Sequence, residues 1–254
     1  MNKVDGLSHV RILVPDMDEA IRFYCRGLGL TLTHRDEKEA VIATPDGILL
    51  FFHEGGTREG DLCGITHVCY NTWDVDAAFT RALEFGAVPS RESDPKPYTY
   101  KNLRMAFVRA PSGEEIEFWG IMRKNGSFGE PMIGSCYVKH FVHVALTVPD
   151  MPASIRFYEE LGAVLKVDWE WGCSMRLNDL RELELFTGGQ YAENPKAYSS
   201  FGFLTHGEKE QEAKRLGLSG ETIEFVRLND CIGDMQLSNA PVTLPDLFSE
   251  APEM

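Results

Sequence analysis

The sequence predicts an α+β protein assembled from four βαβββ modules, and three observations lead there: an internal repeat, the order of apolar patterns within it, and a composition suited to a packed core. Val14-Pro15-Asp16-Met17-Asp18-Glu19-Ala20-Ile21-Arg22-Phe23-Tyr24 returns as Val148-Pro149-Asp150-Met151-Pro152-Ala153-Ser154-Ile155-Arg156-Phe157-Tyr158, with eight of eleven positions identical at an offset of 134. The same offset carries His9-Val10 onto His143-Val144, and Leu28-Gly29 recurs one residue early as Leu161-Gly162. A repeat of this length implies two homologous halves. The 254 residues, 43% hydrophobic and 25% charged, are enough to bury a core of ordinary size.

Each half divides again. Leu7 to Val14 alternates and is rich in β-branched residues, which predicts a strand. Asp16 stands at an N-cap with Glu19 three residues on, and Met17, Ile21, Tyr24 and Leu28 share a helical face until Gly29 stops the helix. Short apolar runs follow near 31–34, 40–44 and 48–53, the last two joined by the turn Pro45-Asp46-Gly47. A second unit repeats the order: a strand from Gly64 to Thr72, a helix from Asp74 to Phe85, and strands near Ala87, Arg104–Arg109 and Glu114–Trp119. A third runs from Val138 to Phe186. The fourth is weaker, with a strand at Phe201–Leu204, a charged helix at Glu208–Leu216 and a hairpin over Thr222–Leu237. Paired in chain order, these modules give one domain over 1–122, a Gly-, Pro- and Ser-containing linker over 123–136, and a second domain over 137–254.

Lys and Arg total 25 against 39 Asp and Glu, a net charge of −14. That balance argues against nucleic acid as a partner, which would require basic patches, and against an anionic membrane surface. No apolar stretch approaches membrane-spanning length and the N-terminus has no signal-like apolar region, so the reading is cytoplasmic. The six cysteines Cys25, Cys63, Cys69, Cys136, Cys173 and Cys231 form no C-x-x-C pair and read as reduced, buried side chains.

Three stretches together, Ser8-His9-Val10 with Val14-Pro15-Asp16-Met17, then Gly64-Ile65-Thr66-His67-Val68, then Pro111-Ser112-Gly113-Glu114-Glu115-Ile116-Glu117-Phe118, resemble the vicinal oxygen chelate superfamily. That superfamily includes glyoxalase I, methylmalonyl-CoA epimerase, extradiol dioxygenases, and fosfomycin- and bleomycin-resistance proteins. The resemblance implies two paired-module domains, each an open, curved mixed sheet with flanking helices forming a cup around a divalent metal. It implies ligands on the first strand of each module and near the end of the last, places held here by His9, His67, Glu117 and, where a fourth ligand would stand, the apolar Phe51.

The residue chemistry agrees. Two neutral imidazoles and a carboxylate on adjacent strands make a facial triad that suits Fe(II) first, with Mn(II), Ni(II), Co(II) or Zn(II) as further candidates. In the second half His143 matches His9 and Glu184 falls at the Phe51 place, but the His67 place aligns near Ser200 and the Glu117 place near Met235 or Leu237. The C-terminal pair is therefore expected to hold no tightly bound metal, and His140 and His143 to have no full set of partners.

With three protein ligands the resemblance points first to an oxygenase, a dioxygenase of atypical kind. The places where extradiol enzymes carry an acid-base Tyr and His hold Phe107 and, approximately, Tyr98. The second reading is a glyoxalase- or epimerase-like lyase or isomerase, for which the family uses four ligands; the third is a metal-free binding protein of the bleomycin-resistance type. Tyr98, Tyr100 and His53 are the candidate acid-base groups. Strand alternation nominates Arg11, Phe51, Asn71, Phe107 and Trp119 to line the substrate site. The expected partners are a small-molecule substrate chelating through vicinal oxygens and, for an oxygenase, O2; the chain would be a monomer or homodimer.

Overall fold

The computed structural model describes residues 4–55, 64–90, 95–122, 135–187, 197–205, 214–217 and 221–227. The first module comprises β1 (Val4–Val14), α1 (Met17–Ile21), β2 (Thr31–Arg35), β3 (Glu39–Ala43) and β4 (Leu49–Glu54). The second comprises β5 (Ile65–Thr72), α2 (Val75–Glu84), β6 (Val88–Pro89), β7 (Tyr98–Tyr100), β8 (Leu103–Arg109) and β9 (Glu115–Ile121). The third holds β10 (Val138–Val148), α3 (Met151–Leu161), β11 (Val164–Trp169), β12 (Gly172–Arg176) and β13 (Glu182–Thr187). The fourth holds β14 (Tyr198–Thr205), β15 (Lys214–Leu216) and β16 (Thr222–Arg227).

Each helix starts where an aspartate caps it. Asp16, Asp74 and Asp150 are extended and accept from the backbone N–H of Glu19, Ala77 and Ala153 at 2.9, 3.0 and 2.9 Å. A cap of this kind stabilises a helix start by about 1 kcal/mol. After α1 the chain widens into a π-type turn at Arg22–Gly27, where Leu28 N–H reaches Phe23 O at 3.0 Å. That turn keeps Phe23 and Tyr24 buried on the core side.

The modules do not pair in chain order. One sheet runs β15-β16-β14-β1-β4-β3-β2 and the other β11-β12-β13-β10-β5-β9-β8-β6, with β7 paired to β8. Module one thus shares a sheet with module four, through antiparallel β1 and β14. Module two shares one with module three, through antiparallel β5 and β10. This corrects the expectation that modules one and two curl into one cup. All four first strands mix apolar residues with scattered polar ones, so local pattern alone does not distinguish which two will pair.

Modules one and two nevertheless touch closely. The Tyr24 hydroxyl donates to Glu114 Oε1 at 2.6 Å, and the repeat places Tyr158 on Glu221 Oε1 at 2.5 Å. The Tyr198 hydroxyl crosses between the sheets to Glu115 O at 2.6 Å. Apolar side chains of both sheets, including Ile12, Phe52, Val68, Tyr70, Phe118, Leu185 and Phe201, form one continuous core.

Module four departs from its predicted elements. Residues 214–216 are the strand β15, antiparallel to β16, instead of the end of a helix. Their pairing with β16 adds one edge strand to the first sheet. Residues 208–213 of that expected helix, 228–237 of the expected hairpin and 123–134 of the expected linker lie outside the described residues. Among the described residues no helix is long and apolar enough to cross a membrane.

Burial pushes the Glu114 carboxyl up to about 7, against the pull of the Tyr24 hydroxyl, which favours the anion. Among the described residues its Oε2 has no hydrogen-bond partner. The unfolded chain, with an ordinary carboxylate, loses this proton near pH 4.5 while the folded chain keeps it to about 7, so stability falls as pH rises through that window. Urea melts of metal-free protein should show Glu114→Gln, relative to wild type, recovering about 2–3 kcal/mol of stability between pH 4.5 and 8. Equal pH slopes in the two proteins would contradict this account of the pair.

Candidate metal centre

The site is built on the four central strands of the second sheet, β13-β10-β5-β9. In β5, His67 and Cys69 face the same side; β10 runs antiparallel beside it with Ala145 opposite His67 and His143 opposite Cys69. On the outer flanks, parallel pairing sets Glu117 of β9 beside Cys69 and Glu184 of β13 beside Ala145. His67, His143, Glu117 and Glu184, from four strands, therefore project from one face.

Their donor atoms are close-set. His67 Nε2, His143 Nε2 and Glu117 Oε2 lie 3.3 Å from one another along all three edges. A point at the centre of such a triangle is about 1.9 Å from each atom, and a small displacement from the plane brings it to the roughly 2.0–2.1 Å of a first-row metal–imidazole bond. These three residues form a group able to hold a metal ion. Glu184 Oε2 stands 3.6 Å from His143 Nε2, beside that group. Thr66 Oγ1 is 3.1 Å from His67 Nδ1, which leaves Nε2 as the nitrogen turned to the centre.

Charge at the cluster is strongly polarised. Burial works to raise the Glu117 carboxyl, but hydrogen bonds from His143 and His67 prevail and hold it well below the usual carboxylate range. Burial works to lower His143, yet Glu184 and Glu117 raise it to about 9. His67 is lowered, chiefly by burial. Glu184 is pushed up to about 7 by burial, with the Glu117 charge adding to it and His143 opposing. With no metal between them, buried carboxylates draw a proton onto an imidazole; a divalent cation meets the same demand. The donor set fits such an ion.

The walls are aromatic. Phe107 stands edge-on to the His67 ring at 5.6 Å, and Phe186 lies tilted against it at 6.3 Å. The His67 side chain is 1% exposed and that of Glu184 20%, so Glu184 is the donor nearest solvent.

Of the three expected ligands, the fold brings His67 and Glu117 together and places His9 in the other sheet. The correction follows from the module pairing: His143, not His9, is the histidine that β10 lays beside β5. The partners that His143 was expected to lack are supplied by module two. Glu184 stands at the place that Phe51 holds in the first module, because β13 and not β4 flanks this cluster. Both residues were visible in the repeat, at the places of His9 and Phe51; the order of module pairing was the missing information.

The expected substrate and acid-base groups are divided. Phe107 borders the cluster, while Asn71 donates to Trp119 O at 3.2 Å two residue pairs further along β5 and β9. Tyr98 and Tyr100 pair with Met105 and Leu103 at the edge of β8, and Tyr100 is 58% exposed. Arg11, Phe51 and His53 belong to the first sheet, with His9.

There the repeat has produced an altered copy. Gly202 pairs with Glu224 as Cys69 pairs with Glu117, so Glu224, and not Met235 or Leu237, is the counterpart of Glu117. His9 Nε2 lies 3.4 Å from Glu224 Oε2, but Ser200 stands at the place of His67 and Phe51 at that of Glu184. Arg11 supplies the cation: its Nε donates to Glu224 Oε1 at 2.9 Å and its Nη1 is 2.8 Å from His53 Nε2, itself 2.9 Å from Glu39 Oε2. Burial works to raise Glu224, but His9, Ser200 and Arg11 together hold it far below the usual carboxylate range. A Cβ on residue 202 would meet His9 Cε1 at 2.1 Å, so glycine there makes room for the imidazole. Replacing Arg11 with Met should destabilise the fold by about 2 kcal/mol, because a largely buried carboxylate loses a charged partner. Thermal melts check this; unchanged stability would remove Arg11 as the neutralising group.

A sequence model described as the Glyoxalase/Bleomycin resistance protein/Dioxygenase superfamily matches residues 6–118 and 140–227. A "Probable lactoylglutathione lyase" of Synechocystis sp. is 28% identical over 122 residues, 44% of this chain and 92% of that protein. Among solved structures, glyoxalase I from Zea mays superposes with a TM-score of 0.66 at 20% identity, over 89% of this chain and 94% of that one. A putative dioxygenase from Bacillus subtilis superposes with a TM-score of 0.66 at 15% identity, over 89% of this chain and 86% of that one. At these identities the two structures speak to the fold.

Proposed function

Since the chain belongs to the Glyoxalase/Bleomycin resistance protein/Dioxygenase superfamily, we propose that it is a metal-dependent lyase or isomerase of the glyoxalase type, acting on a small substrate through two vicinal oxygens. The observation that carries this is the triad His67, Glu117 and His143 with the Glu184 carboxylate 3.6 Å from His143 Nε2. A carboxylate placed there to move a proton favours this reading over the oxygenase. The named lyase relative supports the same direction.

In this reading His67, His143 and Glu117 hold a divalent transition ion, which when bound would polarise a substrate carbonyl and stabilise negative charge on the adjacent oxygens. Glu184 stands at the solvent side of the cluster, where its Oε2 can take a proton from the carbon next to that carbonyl and return it to the neighbouring carbon. Phe107 and Phe186 exclude water from that transfer. The thiohemiacetal of a 2-oxoaldehyde is the substrate type to assay, with the hydroxyacyl thioester as product; hydrogen moves between adjacent carbons and no oxidant is consumed.

Metal analysis after dialysis, paired with that assay, tests the assignment. Wild type should retain one divalent ion per chain, with His9→Ala unchanged. His143→Ala should lose metal affinity by at least about tenfold, and Glu184→Gln should lose about 100-fold or more in kcat. Metal retention in His143→Ala together with its loss in His9→Ala would overturn the site; full activity in Glu184→Gln would overturn the proton-transfer role.

A further inference from the structure

Beside the cluster, the second sheet carries aromatic surface that continues past Phe186 into rings the proposed chemistry does not use. The Trp169, Trp171 and Phe186 rings lie nearly parallel: Trp169 and Trp171 are 5.9 Å apart at 19°, Trp171 and Phe186 5.6 Å at 13°, Trp169 and Phe186 6.4 Å at 5°. Phe186 is also the ring tilted against His67. The set is graded outward from the cluster, with Phe186 buried, Trp169 half-buried and Trp171 47% exposed.

The backbone is shaped to hold this arrangement. Gly172 is paired with Phe186 across β12 and β13, and a Cβ there would meet Leu185 O at 2.7 Å and Phe186 Cδ1 at 2.9 Å. Without that Cβ, the Phe186 ring lies against the strand beside it. The Trp171 carbonyl accepts from both Thr187 N–H and Thr187 Oγ1 at 3.1 Å, so the turn is fixed while the indole remains open to solvent. A large aromatic ring held open at the rim of a ligating cluster is positioned to bind a flat group.

We propose that Trp171, Trp169 and Phe186 form a shelf that binds a planar, aromatic or conjugated group attached to the chelating head, making Trp171 a specificity-determining residue. This rests on the metal reading of His67, Glu117 and His143. It selects, among substrates with vicinal oxygens, those bearing a flat apolar substituent on the Phe186 side of the chelating head. Packing alone explains why the three rings touch, but not why the outermost is exposed on a backbone fixed by two hydrogen bonds.

Two hydroxamates test the shelf, since both chelate through vicinal oxygens and only one carries a ring: benzohydroxamate and acetohydroxamate, titrated into the Zn(II)-loaded full chain by calorimetry and by quenching of indole fluorescence. Wild type should bind benzohydroxamate about tenfold tighter. Trp171→Ala should cut that ratio at least about threefold with acetohydroxamate affinity unchanged, and Trp171→Phe should keep most of it. An equal ratio in wild type and Trp171→Ala, or no preference in wild type, overturns the shelf while acetohydroxamate binding leaves the metal reading standing. Failure of both hydroxamates to bind overturns the metal reading and the shelf with it.

Discussion

The antiparallel pairing of β5 with β10 is the constraint on which the site depends. It opposes Cys69 to His143 and Ala145 to His67, and so brings two imidazoles from modules separated by 76 residues to 3.3 Å. The outer neighbours of those strands, β9 and β13, then bring one carboxylate each in parallel register. A slip of one residue would turn every one of these side chains to the other face. The cluster is thus a property of strand order and register, and the helices and core serve to hold that register.

The first sheet shows what the same geometry becomes with different residues. β1 and β14 pair as β5 and β10 do, and His9 and Glu224 occupy ligand places, yet Ser200 and Phe51 stand where a histidine and a carboxylate stand in the other sheet. A buried carboxylate still demands a positive partner, and Arg11 meets it with a bond from Nε to Glu224. One fold therefore carries two solutions to the same electrostatic requirement: donors arranged for an ion in one sheet, and a side-chain cation in the other.

Much of this was legible beforehand. The repeat at an offset of 134 gave the modules, the Asp caps gave the helix starts, and the family resemblance singled out His67 and Glu117. His143 and Glu184 were legible as positions but not as partners, because similar local patterns in four first strands cannot say which two will pair. Contacts far apart in the chain, such as Tyr24 with Glu114 and Tyr198 with Glu115 O, hold the paired modules against one another. The aromatic shelf was not legible at all: nothing local ties Trp169 and Trp171 to Phe186 until Phe186 is known to be the strand partner of Gly172.

The central claim is that the ligands come from modules two and three. Anomalous scattering from crystals grown with Co(II) locates the ion directly. A single peak within bonding distance of His67 Nε2, His143 Nε2 and Glu117 is the predicted result, with no peak beside His9. A peak between His9 and Glu224, or none at the His67–His143 pair, would contradict it.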